Sequence, residues 1–281
     1  MGIVVGIDIG GSTTKIAGFN NTEALIPVQI SASSAVASLF GAFGKFLYDN
    51  KLDLKDIEQV NLTGVGSSAI NQAIYGLPTY IVDEFTANGI GGGYFANDEK
   101  EFMVISMGTG TSFVGVKDGI PRHLGGIGIG GGTITGLSKY LLGTNDMDRV
   151  NEMASQGDIT RIDLRVGDIS MNPLPGLNLD ITASNFGKSS SRAPSEDKAI
   201  GIVHMVVEDI CQTASLIARG TNIKKFVLIG ALTHFPVCEE VKEEIKSMNP
   251  DYDFIIPSNG EFGTAIGCAL ADKACLKHIA G

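Results

Sequence analysis

One local pattern occurs twice in this chain and limits the folds that it can adopt. An apolar strand ends in a short turn of glycine and hydroxyl residues, a second strand returns, and helices follow. The first copy is IDIGGSTTK, residues 7–15, and the second is ISMGTGTSF, residues 105–113. Strands that alternate with helices are typical of an α/β protein. Two copies of the pattern therefore predict two related α/β lobes.

The division between the lobes is predicted near residues 95–101, where the charged segment NDEKE interrupts the apolar pattern. Residues 1–98 would form the N-terminal lobe and residues 99–281 the C-terminal lobe. A chain of 281 residues can form one large or two medium domains. Its residues are 43% hydrophobic and 19% charged, which is enough for a sizeable core and excludes a disordered chain.

The charge and the cysteines exclude several classes of function. The net charge is −10 and no basic stripe is visible, so we expect no nucleic-acid partner. The four cysteines form no CxxC or CxxH pair, and Cys268 and Cys275 would share one helix face, which favours core packing over metal binding. No signal peptide is visible and apolar runs such as FVLIGAL are too short for a bilayer. These features predict a cytoplasmic protein without a membrane partner.

The hydrophobic periodicity predicts most of the secondary structure. We expect strands at residues 2–9, 13–19, 24–30, 59–64, 78–82, 102–106, 112–116, 120–124, 225–230 and 253–257. We expect helices at residues 35–49, from 67, 84–94, 133–142, 145–155, 196–220, from 235, and 263–275. Ser33 and Ser34 would cap the first helix and Asn145 the fifth. Residues 167–195 are expected to be irregular.

The turn of the first copy has the chemistry of a site for phosphate and magnesium. Its backbone N–H groups can form an anion-binding nest, Ser12 and Thr13 add hydroxyl donors, and Lys15 adds positive charge. Asp8 would hold Mg²⁺ through water molecules, because Mg²⁺ releases its water reluctantly. The alternative is a plain β-hairpin in which Asp8 only caps its own turn.

The second turn, MGTGTS, offers Thr109, Thr111 and Ser112 as donors, and by itself it is equally consistent with another hairpin. Two such turns at equivalent places suggest that the lobes hold opposite ends of one triphosphate. The Walker pattern fails, because Ser12 follows Gly11 where a lysine is required. GxGxxG matches once, at residues 126–131, without an acidic residue about twenty positions later, which argues against a Rossmann site.

The segment RHLGGIGIGGGTITGL, residues 122–137, contains seven glycines and no acidic residue. A flexible linker would not follow a strand directly and continue into an apolar helix. We therefore expect a functional surface, in which the glycine backbone approaches a nucleotide closely. The start of the following helix would be directed at a phosphate group.

Nine segments occur in the order seen in type II pantothenate kinases, which belong to the acetate and sugar kinase/Hsp70/actin superfamily. They are GIDIGGSTTKI, LTGVGSSA, IVDEFTA, MGTGTSF, GGIGIGGGTITGL, ASQGDITRIDLRVGDI, LDITASNFG, FVLIGALT and NGEFGTAIG. The resemblance covers nearly the whole chain. It implies a two-lobed actin-like or ribonuclease H-like ATPase fold with a nucleotide cleft between the lobes. It also implies a homodimer that phosphorylates pantothenate with ATP, the first step of coenzyme A biosynthesis.

The resemblance also implies roles for single residues. Glu84 in IVDEFTA falls at the proton acceptor, which would take the proton of a primary hydroxyl as that oxygen attacks the γ-phosphate, while Mg²⁺ and Lys15 neutralise charge. The alternative is a first-turn acid that is favoured by the helix dipole alone, by about 0.3–1 kcal/mol. The nucleotide-binding positions that it implies are Gly10, Gly11, Ser12, Thr13, Thr14, Lys15, Ile16, Ala17, Thr109, Gly131, Gly132, Thr133, Ile134 and Thr135.

The chain departs from the family pattern at several positions. The family usually has an arginine, thought to hold substrate charge, at the position of His123, whereas Arg122 lies one residue earlier and would point to the other face of a strand. Either His123 acts as an imidazolium in catalysis, or Arg122 reaches the site from a bend, or the substrate differs, or His123 is a packing residue. Met147 and Ala231 stand where a tyrosine and a small hydroxyl residue are common, which would change contacts to adenine or ribose.

Three other functions remain open at this level. One is a kinase of another small hydroxylated metabolite, although the clustered Cys/His zinc motif of one bacterial sugar kinase group is missing. Another is an ATPase that activates a dehydratase, but ISMGTGTSF lacks the cysteine that an iron–sulfur cluster needs. The third is a nucleotide-binding regulator without transfer activity.

The apolar side of helix 196–219 would form the dimer surface, unless it is buried within one protomer.

Overall fold

The structure is a computed structural model, and it describes residues 2–31, 34–170 and 178–279. Its strands are β1 (Ile3–Ile9), β2 (Thr13–Asn20), β3 (Glu23–Ala24), β4 (Val28–Ser31), β5 (Ile57–Thr63), β6 (Thr79–Ile81), β7 (Glu101–Met107), β8 (Thr111–Lys117), β9 (Ile120–Ile127), β10 (Leu164–Arg165), β11 (Thr182–Ser184), β12 (Lys225–Ile229), β13 (Asp253–Ile255) and β14 (Lys277–His278).

The α-helices are α1 (Ala35–Asp49), α2 (Glu84–Phe95), α3 (Gly131–Leu141), α4 (Met147–Ala154), α5 (Val166–Ile169), α6 (Ser195–Ala218), α7 (Val237–Met248) and α8 (Gly263–Ala269). Short 3₁₀ turns lie at Leu54–Asp56, Val65–Ala69, Ile74–Gly76, Ile159–Arg161, Ala231–His234, Gly260–Phe262 and Lys273–Cys275.

The first sheet has the strand order β14–β6–β5–β1–β2–β3, and β4 also pairs with β2. Strand β1 is antiparallel to β2 and parallel to β5. The sheet contains strands from residues 3–81 together with β14, which pairs with β6. The C-terminal segment therefore crosses the division predicted at residue 98 and joins the sheet of the N-terminal lobe.

The second sheet has the strand order β13–β12–β7–β8–β9 and repeats the plan of the first. Strand β7 forms an antiparallel hairpin with β8, as β1 does with β2, and it has the parallel strand β12 on its other side. The two related lobes that the repeated pattern predicts are thus confirmed. Both Gly/Thr turns join equivalent strands of their sheets.

Strand alternation determines which side chains of β1 face the other lobe. Ile7 and Ile9 are fully buried in the core that α1 covers. Gly6 and Asp8 point to the opposite face, because successive side chains of a strand alternate. A Cβ atom on Gly6 would overlap the backbone of Ala265 in α8, so this helix lies directly on the sheet. Asp8 is thereby placed on the face that looks toward the second lobe.

Helices α2 and α8 connect the two sheets and contact each other through glycine. A Cβ atom on Gly91 would overlap the carbonyl of Gly263, and one on Gly267 would overlap the carbonyl of Ala87. Helix α8 also packs on β1 and β2, while α2 packs on β7, β8 and β9. The two helix backbones meet because glycine occupies these positions, and the pair joins the lobes.

Helix α6 lies in the core of the second lobe. Among the described residues it is the helix whose length and composition would allow it to cross a membrane, but 67% of its most apolar window is buried inside the protein. Its apolar side chains, such as Val203, Val207 and Ile210, pack with β7, β12 and α7. Of the two alternatives for its apolar side, the structure shows burial within one protomer.

Several predicted details differ from the structure. Helix α4 is capped by Asp146 and not by Asn145, since the Asp146 carboxylate accepts hydrogen bonds from the N–H groups of Asp148 and Arg149. Helix α8 ends at Ala269, where the chain turns to bring β14 beside β6, so Cys268 and Cys275 do not share one helix face. Ser34 occupies the N-cap of α1 without a side-chain hydrogen bond.

The segment expected to be irregular, residues 167–195, contains the end of α5, strand β11 and the first residue of α6. Strand β11 pairs with β10 in a separate two-stranded sheet. Residues 171–177 of this segment and the predicted cap Ser33 lie outside the described residues.

Candidate active site

A cavity of about 770 Å³ lies between the two Gly/Thr turns. A Cβ atom on Gly11 of the first turn would lie 3.7 Å from Oγ1 of Thr109 in the second turn, so the two turns face each other at short range. The predicted site residues that line this cleft are Asp8, Gly10, Gly11, Ser12, Thr13, Lys15, Glu84, Thr109, His123, Gly131, Gly132, Thr135, Met147 and Ala231.

The two turns present backbone donors to the cleft. Each is closed by one internal hydrogen bond, from Gly10 N–H to the carbonyl of Thr13 (3.0 Å) and from Gly108 N–H to the carbonyl of Gly110 (2.9 Å). The N–H groups of Gly11 and Thr109 donate no turn or loop hydrogen bond to the described backbone. Free N–H groups on facing turns are suited to binding an anion such as a phosphate chain.

A row of polar side chains crosses the inner face of the first sheet. Lys15 is the cross-strand partner of Asp8, Asp8 pairs with Thr63, and Gln29 is the partner of Lys15 on its other side. Gln29 also lines the cleft. The sequence analysis missed Gln29, because only the register of β4 against β2 brings it beside Lys15.

Burial and charge act in opposite directions on the pair Asp8 and Lys15. Burial raises the pKa of Asp8, and the positive charge of Lys15 lowers it in part. Burial lowers the pKa of Lys15, while the charges of Asp8 and Glu261 raise it. A cation near Asp8 would offset the cost of keeping this carboxylate charged away from water.

The surroundings of Asp8 suit a hydrated magnesium ion. A Cβ atom on Gly64, which has φ +84°, would lie 2.5 Å from Oδ1 of Asp8, so glycine leaves space beside the carboxylate. The described residues contain no cluster of three or more His, Cys, Asp or Glu side chains that could hold a metal. Asp8 could hold Mg²⁺ with water and phosphate oxygens as the other ligands, which is how Mg²⁺ is commonly held beside nucleotides.

The second lobe has hydroxyl groups where the first has a charged pair. Ser106 and Ser112 are cross-strand partners in β7 and β8, at the places that Asp8 and Lys15 occupy in β1 and β2. Both serines line the cleft. The charge available for a metal and for phosphate is thus concentrated on the first lobe.

Glu84 occupies the first turn of α2 and faces the cleft. The preceding residue, Asp83, caps the helix by accepting hydrogen bonds from the N–H (3.0 Å) and Oγ1 (3.2 Å) of Thr86. Burial raises the pKa of Glu84, and the negative charges of Asp8 and Asp83 raise it further. A carboxyl group with a raised pKa at the edge of a cleft is suited to accept a proton near neutral pH.

The structure places His123 in the cleft and Arg122 outside it. A β-bulge between Phe113 and Val114 sets the register of β8 against β9, and His123 then pairs with Val114. The imidazole stacks on the Phe85 ring with centroids 3.8 Å apart and planes 14° apart. Arg122 is not among the described residues that line the cleft, because it points to the other face of the strand.

Comparisons with known proteins identify the family. The family model Fumble matches residues 84–237, which is more than half of the chain. A type II pantothenate kinase of Bacillus cereus (strain G9842) is 30% identical over 95% of this chain and 97% of its own. The chain belongs to the type II pantothenate kinase family. A type II pantothenate kinase of Staphylococcus aureus (strain USA300) is 28% identical over 96% of this chain and 99% of its own.

A solved structure supports the fold of this family member. The activator of 2-hydroxyisocaproyl-CoA dehydratase from Clostridium difficile, solved with bound ADPNP, superposes with a TM-score of 0.67 over 95% of this chain and 93% of that chain. The two proteins are 19% identical, so the likeness concerns the fold alone. The predicted two-lobed actin-like fold is confirmed.

Three residues that the family resemblance placed at the nucleotide, Thr14, Ile16 and Ala17, are buried in β2 and do not line the cleft among the described residues. Ile16 packs in the core under α1, and Thr14 faces the same side because it lies two residues earlier. Ala17 faces α8 and packs against Ala265. Only alternate side chains of the strand can face a ligand, and in β2 these are Thr13 and Lys15, which both line the cleft.

The first N–H groups of α3 have partners within the protein, so they are not free to bind a phosphate group. Gly131 donates to the carbonyl of Gly108 (2.8 Å), Gly132 to that of Thr109 (2.9 Å), and Thr133 to that of Gly130 (3.0 Å). A Cβ atom on Gly132 would lie 3.0 Å from the Thr109 carbonyl. The glycines therefore let α3 pack on the second turn and hold it in place.

The side chains of Thr133 and Ile134 also serve the fold. The Thr133 hydroxyl accepts from Gly130 N–H and donates to the carbonyl of Gly128, both at 3.2 Å. Ile134 is fully buried in the core of the second lobe. Among the described residues neither side chain lines the cleft. The resemblance assigned nucleotide binding to the whole segment 131–135, whereas only some side chains of a helix can face one ligand.

The far end of the cleft, beside α3 and α4, is formed by Thr135, Met147 and Ala231. Oγ1 of Thr135 donates to the carbonyl of Gly131 (2.8 Å) and lies 3.4 Å from Sδ of Met147. Asp148 and His234 line the same end, and the sequence analysis missed both. Asp148 lies within the predicted helix 145–155 and His234 directly precedes the helix predicted from residue 235, and no local pattern distinguishes them from other exposed polar residues.

Proposed function

We propose that this protein transfers the γ-phosphate of ATP to pantothenate and forms 4′-phosphopantothenate, the first step of coenzyme A biosynthesis. One observation supports the chemistry: Glu84 and Asp8 share one cleft with two facing Gly/Thr turns, and the charge of Asp8 raises the pKa of Glu84. Phosphoryl transfer needs mainly positioning and charge neutralisation, which such turns can supply.

In this proposal the phosphates of ATP lie between the turns and accept hydrogen bonds from the N–H groups of Gly11 and Thr109. Lys15 neutralises charge on the phosphate oxygens from the floor of the cleft. Asp8 would hold a hydrated Mg²⁺, which would supply further positive charge near the phosphates. Met147 and Ala231 contact the nucleoside at the far end.

The acceptor is held on the other side of the turns. Glu84 takes the proton of the primary hydroxyl as the oxygen attacks phosphorus, and its raised pKa makes it the stronger base. His123, stacked on Phe85 next to Glu84 along the chain, donates a ring N–H hydrogen bond to the negative charge of the substrate. We assign no catalytic role to Arg122, since it points away from the cleft.

We further propose that the protein is a cytoplasmic homodimer without nucleic-acid or membrane partners. The net charge of −10 supports the absence of a nucleic-acid partner, because such a protein would repel the phosphate backbone. The burial of α6 inside one protomer supports the absence of a membrane partner.

The proposal predicts that ADP and a phosphorylated product form in equal amounts when the protein is incubated with ATP, Mg²⁺ and pantothenate. The matched control is an analogue of pantothenate whose carboxylate is replaced by a hydroxymethyl group. Turnover of another alcohol but not of pantothenate would reject the substrate. Tight ATP binding without transfer to any alcohol would favour a regulator without transfer activity.

Asp83→Asn is expected to move the acidic limb of the pH–kcat profile to lower pH. The negative charge of Asp83 raises the pKa of Glu84, so its removal lowers that pKa and keeps the base ionised in more acidic solution. Asparagine caps a helix about as well as aspartate, so α2 should stay intact. Asp53→Asn, at the N-cap of the 3₁₀ turn Leu54–Asp56, is the control and should leave the profile unchanged. A limb that stays in place or moves to higher pH would contradict the assignment of Glu84.

A further inference from the structure

A buried amide follows the proposed base by one helical turn. Asn88 lies four residues after Glu84 in α2, so the two side chains project from the same side of the helix. Asn88 is 0% exposed, whereas Glu84 reaches the cleft. A buried primary amide needs hydrogen-bond partners, because burial without them removes it from water with no compensation.

The partners of Asn88 come from both lobes. Its Oδ1 accepts a hydrogen bond from Oγ1 of Thr264 at 2.7 Å, and Thr264 belongs to α8 on the first sheet. Its Nδ2 donates to Oγ of Ser112 at 3.5 Å, and Ser112 belongs to β8 in the second sheet. Thr264 and Ser112 both line the cleft. One side chain of α2 therefore connects the walls that the two lobes contribute to the cleft.

The helix contact beside Asn88 consists largely of backbone. Helices α2 and α8 meet backbone to backbone at Gly91, Gly263 and Gly267. Glycine surfaces set the distance between two helices, but they have no side chains that would prevent sliding or rotation about the helix axis. A directional hydrogen bond from Asn88 to Thr264 can fix the rotation of α2, and with it the direction of the Glu84 side chain.

We propose that Asn88 is a positioning residue that holds Glu84 in its reactive orientation by linking α2 to α8 and β8. The inference rests on the proposed function, in which Glu84 is the general base. Loss of the Thr264 hydroxyl would let α2 rotate and would move the Glu84 carboxylate away from the acceptor hydroxyl. Misplacement of a reacting group by about 1 Å can lower a rate by about 100-fold.

The test is a double-mutant cycle with Thr264→Val, which keeps the shape of the side chain and removes its hydroxyl. We expect kcat with pantothenate to fall by roughly 10-fold to 100-fold while the KM values change little. Thr264→Ser retains the hydroxyl and should restore most of kcat. In the Glu84→Gln background, Thr264→Val should have almost no further effect, because the base that it positions is already absent.

The outcomes separate this inference from the proposed function. If Glu84→Gln retains full kcat, the base assignment itself fails. If Glu84→Gln loses activity but Thr264→Val does not, only the positioning role of Asn88 is overturned. An equal loss from Thr264→Val in both backgrounds, or a raised KM with unchanged kcat, would also overturn it. Should Thr264→Val fail to fold, Ser112→Ala in the same cycle tests the other contact of Asn88, and an equal loss in both backgrounds there overturns the inference.

Discussion

Replacement of Glu84 by glutamine is expected to lower kcat by about 100-fold to 10,000-fold, the range that a general base contributes. The KM for ATP should change little, because the nucleotide is held by the two turns and Asp8. Glutamine has nearly the same size as glutamate and cannot accept the proton of the acceptor hydroxyl. The measurement is steady-state formation of ADP with pantothenate at saturating Mg²⁺.

The same substitution should leave the protein folded and no less stable. Burial and the charges of Asp8 and Asp83 raise the pKa of Glu84, which means that its ionised form is unfavourable in the folded protein. A neutral side chain removes that unfavourable charge. Loss of activity without loss of stability would therefore separate catalysis from folding.

Glu240→Gln is the matched control for Glu84→Gln. Glu240 is also an acid in the first turn of a helix, α7, where it interacts with the helix dipole in the same way. Among the described residues it does not line the cleft. Full activity of Glu84→Gln would support the view that Glu84 only stabilises the start of α2.

His204→Gln is expected to lower the free energy of unfolding by about 3–5 kcal/mol near pH 6, since it removes the positive partner of buried carboxylates. His204 in α6 is 2% exposed, and its Nδ1 lies 3.6 Å from Oδ2 of Asp163, which is 0% exposed. Its Nε2 lies 3.2 Å from Oε2 of Glu244 in α7, and Glu208 faces the same imidazole. Without His204 these acids would lose their cation.

The effect of His204 should depend on pH with a definite sign. Burial alone lowers the pKa of His204, but the neighbouring carboxylates of Asp163, Glu244 and Glu208 raise it from 6.5 to about 10. A pKa that is raised on folding stabilises the protein below pH 6.5, and this contribution is lost as the pH rises toward 10. Between these values the deficit of His204→Gln should shrink by about 1.4 kcal/mol per pH unit.

Urea unfolding of the wild type and of His204→Gln at pH 6 and pH 9 would measure this difference. His278→Gln is the control, because His278 is exposed on the edge strand β14. It should show no deficit that varies in this way. A deficit of His204→Gln that grows with pH, or no deficit at all, would show that the imidazolium does not stabilise the cluster.

The cluster also explains how an irregular segment becomes ordered. Asp163 accepts hydrogen bonds from the N–H of Phe186 (2.8 Å) and from Oγ1 of Thr182 (3.2 Å). These contacts join the segment around β11 to α6 and, through His204, to α7. The sequence predicted irregular structure here because periodicity reports only regular elements. The partners of Asp163 come from 19 and 23 residues away.

Much of the fold could be predicted because it rests on short-range patterns. Apolar runs and glycine turns predicted both hairpins, β1–β2 and β7–β8, and both are present. Helix α6 was predicted within one or two residues at each end, since a long amphipathic pattern leaves little ambiguity. The prediction of a helix over residues 263–275 was wrong after Ala269, because pairing of β14 with β6 overrides the local helical preference.

The nucleotide-facing surface was harder to predict residue by residue. A family resemblance assigns nucleotide binding to whole segments of the chain. Successive side chains of β2 alternate between its two faces, and those of α3 point around the helix axis, so Thr14, Ile16 and Ile134 face the core. The first N–H groups of α3 bind carbonyls of the second turn, so they serve packing. No pattern within residues 122–137 shows this, because the acceptors lie at Gly108 and Thr109.

By itself, the sequence determined the two lobes, the two Gly/Thr turns and the placement of Asp8 and Glu84 at the ends of their elements. These follow from strand alternation and turn chemistry, which act over a few neighbouring residues. Only the tertiary structure decided that His123 faces the cleft and Arg122 does not, because a β-bulge that leaves Leu124 unpaired between His123 and Gly125 sets the register of β9. It also decided the contacts of Asn88 with Ser112 and Thr264, because hydrogen bonds across 24 and 176 residues depend on how the two sheets and their helices pack.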